Sequence, residues 1–441
     1  MKPYLGSTMD ERIHHKVADQ ATSLRKVVCA GAVGTLIEYY DYTVYAFLAT
    51  TIASIFFSDT EGLALLYTFA VFGVSFVVRP IGGIALGALA DRYGRKPALL
   101  VSVVGIIGAT LLIGLLPTYA SAGIMAPILL CALRCVQGLA AAGELGAAVS
   151  YVAELAPEGR RGALTSTTQI GCLLGTMGGA LAVALLHSFT TPQQLLSWGW
   201  RIPFLVSAPL GIVAILTRKR MEETPDFQNL KQHKRVEKAP TIVVLRSHMR
   251  SLITITCIAA GAHSGYYLTF AYLVTYFQKQ GIMTAQAAGW SSTAAMLIGA
   301  AMVYPFGKLS DRIGRRKMLT IITSCFIILT YPLFIAMNTS AAMAVAAQIV
   351  LGLIEAAYLA TAFATYCEQF PARVRTSGIN LGFNIAAIIG GGFSPYVATW
   401  LIAKTSLAAS PAWILIFFAT GSFVVVRAMQ ETAHKPMEIS G

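Results

Sequence analysis

Long apolar stretches recur along the chain and are separated by short polar loops. Each is about 17 residues or longer, enough to cross roughly 30 Å of hydrocarbon. The stretches are continuous rather than alternating, and lipid offers backbone groups no hydrogen-bond partner, so the pattern predicts helices and not a barrel. The predicted spans are 27–56, 63–90, 97–116, 124–151, 163–187, 200–216, 251–277, 286–309, 317–337, 340–367, 376–402 and 411–429.

One long polar segment, rich in Lys, Arg, Glu and Gln, divides these spans into two groups of six. The predicted fold class is therefore an all-α membrane protein of twelve transmembrane helices in two pseudo-symmetric six-helix bundles. The predicted organisation is an N-terminal tail (1–26), a six-helix bundle (27–217), a linker (218–250), a second six-helix bundle (251–429) and a C-terminal tail (430–441).

Composition excludes a water-soluble domain. The 441 residues are 56% hydrophobic and 12% charged, against about 25% charged in soluble domains, and the mean hydropathy is +0.66. The net charge of +13 follows the positive-inside rule rather than indicating nucleic acid, since only Lys279 and Lys404 of 33 Lys and Arg fall in predicted outer loops. We expect a multi-pass protein of the cell inner (plasma) membrane with both termini cytoplasmic.

Two motifs occur once in each half. The segment Gly87-Ala-Leu-Ala-Asp91-Arg-Tyr-Gly94-Arg95-Lys96 recurs as Gly307-Lys-Leu-Ser-Asp311-Arg-Ile-Gly314-Arg315-Arg316-Lys317, each copy between the second and third spans of its half. A second pair, Glu154-x-x-Pro157-x-x-x-Arg161 and Glu368-x-x-Pro371-x-x-x-Arg375, follows the fourth span of each half. Motifs that repeat in phase indicate an internal duplication.

The loop motif G-x-L-x-D-R-x-G-R-[RK] resembles the signature of the major facilitator superfamily. The segments Gly34-Thr-Leu-Ile-Glu38-Tyr-Tyr-Asp41, Arg79-Pro-Ile-Gly-Gly, Arg134-x-x-Gln137-Gly138 and Trp198-Gly-Trp-Arg201 are similar to its metabolite:proton symporter branch. That branch carries citrate, 2-oxoglutarate, dicarboxylates, shikimate, proline and betaine. The resemblance implies transport by alternating access.

The resemblance also implies a gating role for the loop motif. In the family, this loop acts as a latch across the cytoplasmic side, which here assigns the latch to Gly87, Asp91, Arg92, Gly94 and Arg95. Fixing the membrane topology is the simpler alternative for its basic residues. For the second copy, with Asp311 and Arg315, the topological role is the favoured interpretation.

Four charged residues fall at similar depth near the middle of their predicted spans: Glu38, Asp41, Arg79 and Arg134. A charge near the bilayer centre costs several kcal/mol, about 3 on insertion scales, so each invites a functional hypothesis. We expect Asp41 to carry the coupled proton with Arg134 as its partner, and Glu38 is the second candidate. A fixed structural ion pair between spans remains the alternative.

Substrate contact is predicted for residues of both halves. Arg79 and Arg134 are suited to bind a carboxylate, because a guanidinium can donate two parallel hydrogen bonds. Further candidates are aromatic or polar residues in the middle of their spans, and interhelical hydrogen bonding would explain them equally well. These candidates are Tyr42, Tyr45, His263, Tyr267, Asn380 and Asn384.

The function favoured by these features is proton-coupled import of a small organic acid, with a carboxylate metabolite as substrate. The alternative is symport of a zwitterionic osmolyte such as proline or betaine. A membrane-embedded enzyme or a transporter-like receptor belongs to another class, and the sequence contains no nucleotide loop, H-E-x-x-H or G-x-S-x-G motif to favour it. No metal or cofactor is expected beyond the proton gradient, and the protein is expected to act as a monomer.

Overall fold

The computed structural model describes residues 32–33, 35–57 and 64–437. In these ranges, nine helices are long and apolar enough to cross a membrane, or ten if the pair Pro240–Ser247 and Met249–Lys279, bent by 94°, counts as one span. Helical residues 35–56 and the 17-residue apolar helix Ala412–Ala428 supply the other two. The predicted all-helical membrane fold of twelve spans is confirmed.

The spans are named α1 to α12 in chain order. The first six are α1 (residues 35–47 and Ala49–Phe56), α2 (Ala64–Val77 and Arg79–Tyr93), α3 (Arg95–Leu115), α4 (Met125–Ala141 and Glu144–Leu155), α5 (Arg161–Thr165 and Thr167–Phe189) and α6 (Arg201–Lys219). The last six are α7 (Met249–Tyr266, Tyr267–Tyr272 and Leu273–Lys279), α8 (Ala285–Ile313), α9 (Arg315–Met337), α10 (Ala341–Glu368), α11 (Arg375–Ala386, Ala387–Gly392 and Ser394–Thr405) and α12 (Ala412–Ala428).

At the end of the molecule where the repeated motifs lie, most spans extend a few residues further than hydropathy predicts. α2 reaches Tyr93 rather than residue 90, and α8 reaches Ile313 rather than residue 309. The extensions contain Asp91 and Asp311, whose charges lower the hydropathy of the segment but are buried against the other bundle. We call the end of the molecule that carries these motifs the motif face.

Two short helices connect the bundles at the motif face. Pro225–Gln232 begins after Thr224, whose hydroxyl accepts a hydrogen bond from the Phe227 N–H at 3.4 Å. Pro240–Ser247 packs against both α2 and α11, so it touches both bundles. A bend of 94° separates this helix from α7.

Several spans change their winding near their middle. α7 contains a π-helical turn at Tyr267–Tyr272, and α11 contains one at Ala387–Gly392. α4 is interrupted at Ala142 and Gly143. Such interruptions are frequent at functional sites and at the midplane sites of transporters, and these three lie on helices that meet between the bundles.

Candidate functional site

Two buried ion pairs lie in the middle of the N-terminal bundle. Arg79 of α2 donates to Glu38 of α1 at 3.0 Å, and Arg134 of α4 donates to Asp41 of α1 at 3.3 Å. All four side chains are 7% exposed or less. Glu38 and Asp41 are three residues apart, so both carboxylates lie on one face of α1. This face lies against α2 at Glu38 and against α4 at Asp41. The predicted pairing of Asp41 with Arg134 is thus observed, whereas its role in carrying a proton stays a prediction.

Asp41 has a fuller set of partners than the sequence indicated. Its Oδ2 accepts from Gln137 Nε2 at 2.9 Å, and its Oδ1 lies 2.9 Å from Thr110 Oγ1. Gln137 also accepts from Arg134 at 2.8 Å. Neither residue was predicted as a site residue, although Gln137 follows Arg134 by one helical turn in the motif quoted above, a spacing that indicates it. Three side chains from α3 and α4 therefore hold the Asp41 carboxylate in place.

Aromatic rings surround both arginines. The Arg79 guanidinium lies 4.7 Å from the ring centres of Tyr42 and Phe76, and that of Arg134 lies 4.2 Å from Tyr45. Tyr45 is fully buried, and its hydroxyl donates to the Thr68 carbonyl at 3.1 Å. In this conformation Tyr45 therefore holds Arg134 from within the bundle, while Tyr42 remains partly exposed.

The arginines keep donors that are not used by the protein. Within the described ranges, Arg134 Nε and Nη2 and Arg79 Nε are buried and have no hydrogen-bond partner. A buried donor without a partner is costly, by about 1–3 kcal/mol. These N–H groups are therefore available to an oxygen of a bound molecule, such as a carboxylate.

The C-terminal bundle meets this cluster through aromatic side chains of α7. The Tyr267 ring centre lies 6.3 Å from that of Phe76, and the Tyr266 ring centre lies 5.9 Å from that of Tyr39. Tyr266 also hydrogen-bonds to Thr176 of α5 at 3.0 Å. Tyr267, which was predicted as a substrate contact, thus lies where the two bundles face each other.

The other three predicted contacts of the C-terminal bundle have more structural surroundings. His263 Nδ1 lies 2.7 Å from the Ala259 carbonyl, and its ring packs at 4.4 Å from Phe383. Asn384 donates to the Ala142 carbonyl of α4 at 2.9 Å, and Asn380 lies one turn before it on α11. These asparagines fill the contact between α11 and the interrupted part of α4, so in this conformation they help to close the site towards the motif face.

The first loop motif bridges the bundles. Asp91 accepts the backbone N–H groups of Thr376 and Ser377, the first turn of α11, at 3.2 and 2.8 Å. Arg95 donates to Asp91 at 3.2 Å and to the Ala372 carbonyl of the other bundle at 2.7 Å. A carboxylate at a helix N-terminus is favoured by the unpaired N–H groups and the helix dipole. We call this set of contacts the first latch.

Small residues allow this approach. Gly87 faces the backbone of Ser377, and a side chain at position 87 would collide with it. Gly94 has a φ of +111°, a conformation that favours glycine, and separates α2 from α3. Arg92 is exposed, so its charge remains outside the latch and fits the topological role.

The second loop motif makes the reciprocal contact. Asp311 accepts the backbone N–H groups of Gly162 and Ala163, the first turn of α5, at 2.8 and 2.9 Å. Arg315 donates to Asp311 at 2.7 Å and pairs with Glu368 at 3.1 Å. We call this set the second latch. Asp311 and Arg315 therefore contribute to contact between the bundles, which the favoured topological interpretation did not require.

The acids after the fourth span of each half connect these contacts. Glu154 of α4 pairs with Arg95 at 2.8 Å and with Arg375 of the other bundle at 2.7 Å. Glu368 of α10 lies 3.6 Å from Arg161 of the other bundle. Each repeated Glu thus forms ion pairs with arginines of both halves, and the motif face is closed by two symmetry-related networks.

A further repeat, which sequence reasoning missed, completes each network. Glu223 accepts the N–H groups of Arg95 and Lys96 at 2.9 and 3.2 Å, and Glu431 accepts those of Arg315 and Arg316 at 2.8 and 3.1 Å. The signal was present as Met221-Glu-Glu-Thr224 and Met429-Gln-Glu-Thr432. Burial alone would raise the pKa of Glu431, but the backbone N–H groups that it accepts lower this pKa below its ordinary value.

Asp226, on the helix Pro225–Gln232, also reaches the first latch. It lies 3.3 Å from Arg375. Burial and the neighbouring charge of Glu154 raise the pKa of Asp226 above its ordinary value, against the opposing effect of Arg375. The connecting segment between the bundles therefore carries a titratable group in contact with Arg375.

Known proteins resemble this chain over nearly its full length. Residues 27–247 match the family described as Sugar (and other) transporter, and residues 280–436 match the Major Facilitator Superfamily. The Proline/betaine transporter of Salmonella typhimurium is 32% identical, over 94% of this chain and 85% of the relative. The Ectoine/proline transporter ProP of Corynebacterium glutamicum is 36% identical over the same shares.

A solved structure has the same fold. The proton:xylose symporter XylE bound to 6-bromo-6-deoxy-D-glucose superposes with a TM-score of 0.78 and 17% identity, covering 95% of this chain and 99% of that one. The duplicated latches, the midplane ion pairs and these likenesses agree with the resemblance found from the motifs. The chain belongs to the major facilitator superfamily, within its metabolite:proton symporter family.

Proposed function

We propose that this protein is a proton symporter that imports a zwitterionic osmolyte such as betaine or proline. The two relatives reported above are named as transporters of proline together with betaine or ectoine. This favours a zwitterionic osmolyte over an organic acid as the substrate. The chemical support is the charge of the site. Arg79 and Arg134 are each paired with one carboxylate, so the cluster is electrically neutral as a whole.

A neutral site suits a solute that is neutral overall. A citrate or a dicarboxylate would bring two or three negative charges between bundles, and the described middle of the C-terminal bundle contributes no Lys or Arg to balance them. A zwitterion brings one carboxylate and one cationic nitrogen. The predicted carboxylate partner is therefore retained as one group of the substrate.

The single observation that carries the proposal is the unpartnered Nε and Nη2 of Arg134 beside a wall of aromatic rings. The substrate carboxylate would accept from these donors. Its ammonium group would lie against the partly exposed faces of Tyr42 and Tyr267, because a cation is attracted to an aromatic face by about 1–2 kcal/mol when water is excluded. Arg79 is the second candidate for the carboxylate.

Proton coupling would act through the same pair. Protonation of Asp41 would remove the charge that holds Arg134, so that the guanidinium could turn to the substrate carboxylate. Release of the substrate would restore the pair and expel the proton. Glu38 and Arg79 are arranged in the same way and could serve as the alternative.

The two latches would hold the motif face closed while the solute enters from the other side. We propose that the motif face is cytoplasmic, with both termini on that side of the plasma membrane, since the basic loops lie there. The protein is proposed to work as a monomer, because one pair of bundles contains the complete site.

The test is uptake into proteoliposomes with an imposed inward proton gradient. Betaine and proline are expected to accumulate, whereas citrate, 2-oxoglutarate and shikimate are not. Collapse of the gradient with a protonophore is the control. Gradient-driven accumulation of a carboxylic acid alone would refute the zwitterion proposal.

A further inference from the structure

A carboxylic acid lies in the middle of the C-terminal bundle and takes no part in the site described above. Glu355 is the fifteenth of the 28 residues of α10 and is fully buried. Among the residues that the structure describes, neither of its oxygens has a hydrogen-bond partner. The ion pairs formed by arginines of the described ranges all involve other acids.

Burial without a partner decides the charge of this group. An ionised carboxylate in an apolar interior costs many kcal/mol unless it is paired, and within a membrane such groups mark proton or ion pathways. Glu355 therefore carries a proton in this conformation.

The carboxyl group lies directly against α7. A side chain at Gly265 would overlap a carboxyl oxygen of Glu355, so only glycine leaves room for this contact. Phe326 of α9 lies on the same side. The tight fit keeps water away from Glu355 as long as α7 and α10 remain packed together.

Within the part of the chain that the structure describes, the ionisable groups that face Glu355 are tyrosines. Tyr266 comes from α7, and Tyr358 and Tyr366 come from α10 itself. The charged residues of α8 and α9 lie between 308 and 317, at the motif face, and His263 of α7 packs against α11 instead. A change in the protonation of Glu355 would therefore be governed by access of water rather than by a neighbouring charge.

Access of water is connected to the contact between the bundles. Tyr266, the residue after Gly265, binds Thr176 of the other bundle at 3.0 Å. The π-helical turn Tyr267–Tyr272 begins at the next residue, and such turns are frequent at functional sites. A movement of α7 that separates Tyr266 from Thr176 would also lift Gly265 from the carboxyl group.

We propose that Glu355 is a second proton-binding site, filled while α7 packs against α10 and emptied when α7 moves. The ligand is a proton: it is taken up from water as the O–H bond forms and returned to water as that bond breaks. No other group changes its oxidation state. The inference rests on the proposed proton symport, to which it adds one proton for each solute carried.

The first experiment needs no substrate. Infrared spectroscopy of the full chain in lipid bilayers detects the carbonyl stretch of a protonated carboxylic acid. We expect this band in the unmodified protein and its loss in Glu355→Gln. The control is Tyr358→Phe, one turn after Glu355 on α10, which removes a buried hydrogen bond to the Ile258 carbonyl and should retain the band. An unchanged band in Glu355→Gln would overturn the proposal.

A second variant covers the case in which Glu355→Gln does not fold. Glu355→Asp keeps an acid but withdraws it from Gly265, so the band should remain at a shifted frequency. A band at the original frequency would assign it to another acid and overturn the proposal.

The second experiment measures the ratio of protons to solute in proteoliposomes, with betaine or proline as the solute. Glu355→Gln should transport one proton fewer per solute than the unmodified protein and Tyr358→Phe. An equal ratio in all three would overturn the proposal. If neither solute is taken up, the zwitterion proposal fails, and the infrared band still decides the state of Glu355.

Discussion

The first latch sets how strongly the motif face stays closed, and Asp91→Asn tests this directly. Asparagine keeps the shape but removes the charge that faces the first turn of α11. Loss of the charge at a helix N-terminus costs up to about 2 kcal/mol where the group is buried. Asparagine has one acceptor oxygen, so one of the hydrogen bonds from Thr376 and Ser377 becomes a neutral one and the other is lost, which adds at least about 1 kcal/mol.

The sum, about 3 kcal/mol, corresponds to a change of about 100-fold in the ratio of closed to open molecules, since about 1.4 kcal/mol is a factor of ten. Asp91 is fully buried, so water does not screen these interactions. We therefore expect Asp91→Asn to raise the population that is open at the motif face by about two orders of magnitude.

The assay is the modification rate of a cysteine placed at Ser150, in a background without the natural cysteines. Ser150 is buried and lies 3.5 Å from Thr376 across the bundle contact. A maleimide should react much faster in Asp91→Asn than in the parent. Arg92→Gln, which removes an exposed charge from the same loop, is the matched control. Equal rates in Asp91→Asn and the control would refute the assignment of the latch.

Three further predictions concern the ion pairs and the linker. Asp41→Asn should abolish proton-driven accumulation but preserve counterflow exchange, and full accumulation in an uptake assay would remove Asp41 as the proton carrier. Arg134→Lys should reduce uptake at least about tenfold, because lysine lacks the paired donors; near-normal uptake would contradict bidentate binding. The raised pKa of Asp226 means that the closed form binds this proton more tightly than water-exposed aspartate, whose pKa is about 3.9. Protonated Asp226 therefore stabilises the closed form fully at a pH below the pKa of the water-exposed group. This stabilisation is lost as the pH rises through the raised pKa of the closed form. In Asp226→Asn, the cysteine at position 150 should stay protected from the maleimide at every pH, because asparagine resembles the protonated acid. Faster labelling of this variant at neutral pH would contradict the prediction and show that the ion pair with Arg375 stabilises the closed form more than the proton does.

The periodicity and duplication of the sequence were sufficient to predict the spans, because membrane helices need long apolar runs and cannot be mistaken for other elements. The ends were less accurate where charges are buried. Asp91 and Asp311 lower the local hydropathy, yet their charges are satisfied by helices of the opposite bundle, a contact that no local pattern contains.

The site was predicted only in part, because its contacts also depend on how the helices pack. Glu38, Asp41, Arg79 and Arg134 were identified because charge is costly at the midplane, and they were found in pairs. Thr110 and Gln137 were missed as further partners of Asp41 because the direction of their side chains depends on helix packing. Which donors of the two arginines remain without a partner among the described residues follows only from three-dimensional geometry.

The reciprocity of the two latches has a consequence for the origin of the chain. The N-terminal half contains Asp91, which caps α11 of the other half, and it also contains α5, which needs a cap. The C-terminal half contains Asp311, which caps α5, and it also contains α11. A single half therefore carries both members of a self-complementary surface, as a two-fold symmetric dimer requires. An ancestral six-helix protein could have paired with its own copy through these contacts before the gene was duplicated and fused. Separately expressed halves should accordingly retain the means to find each other.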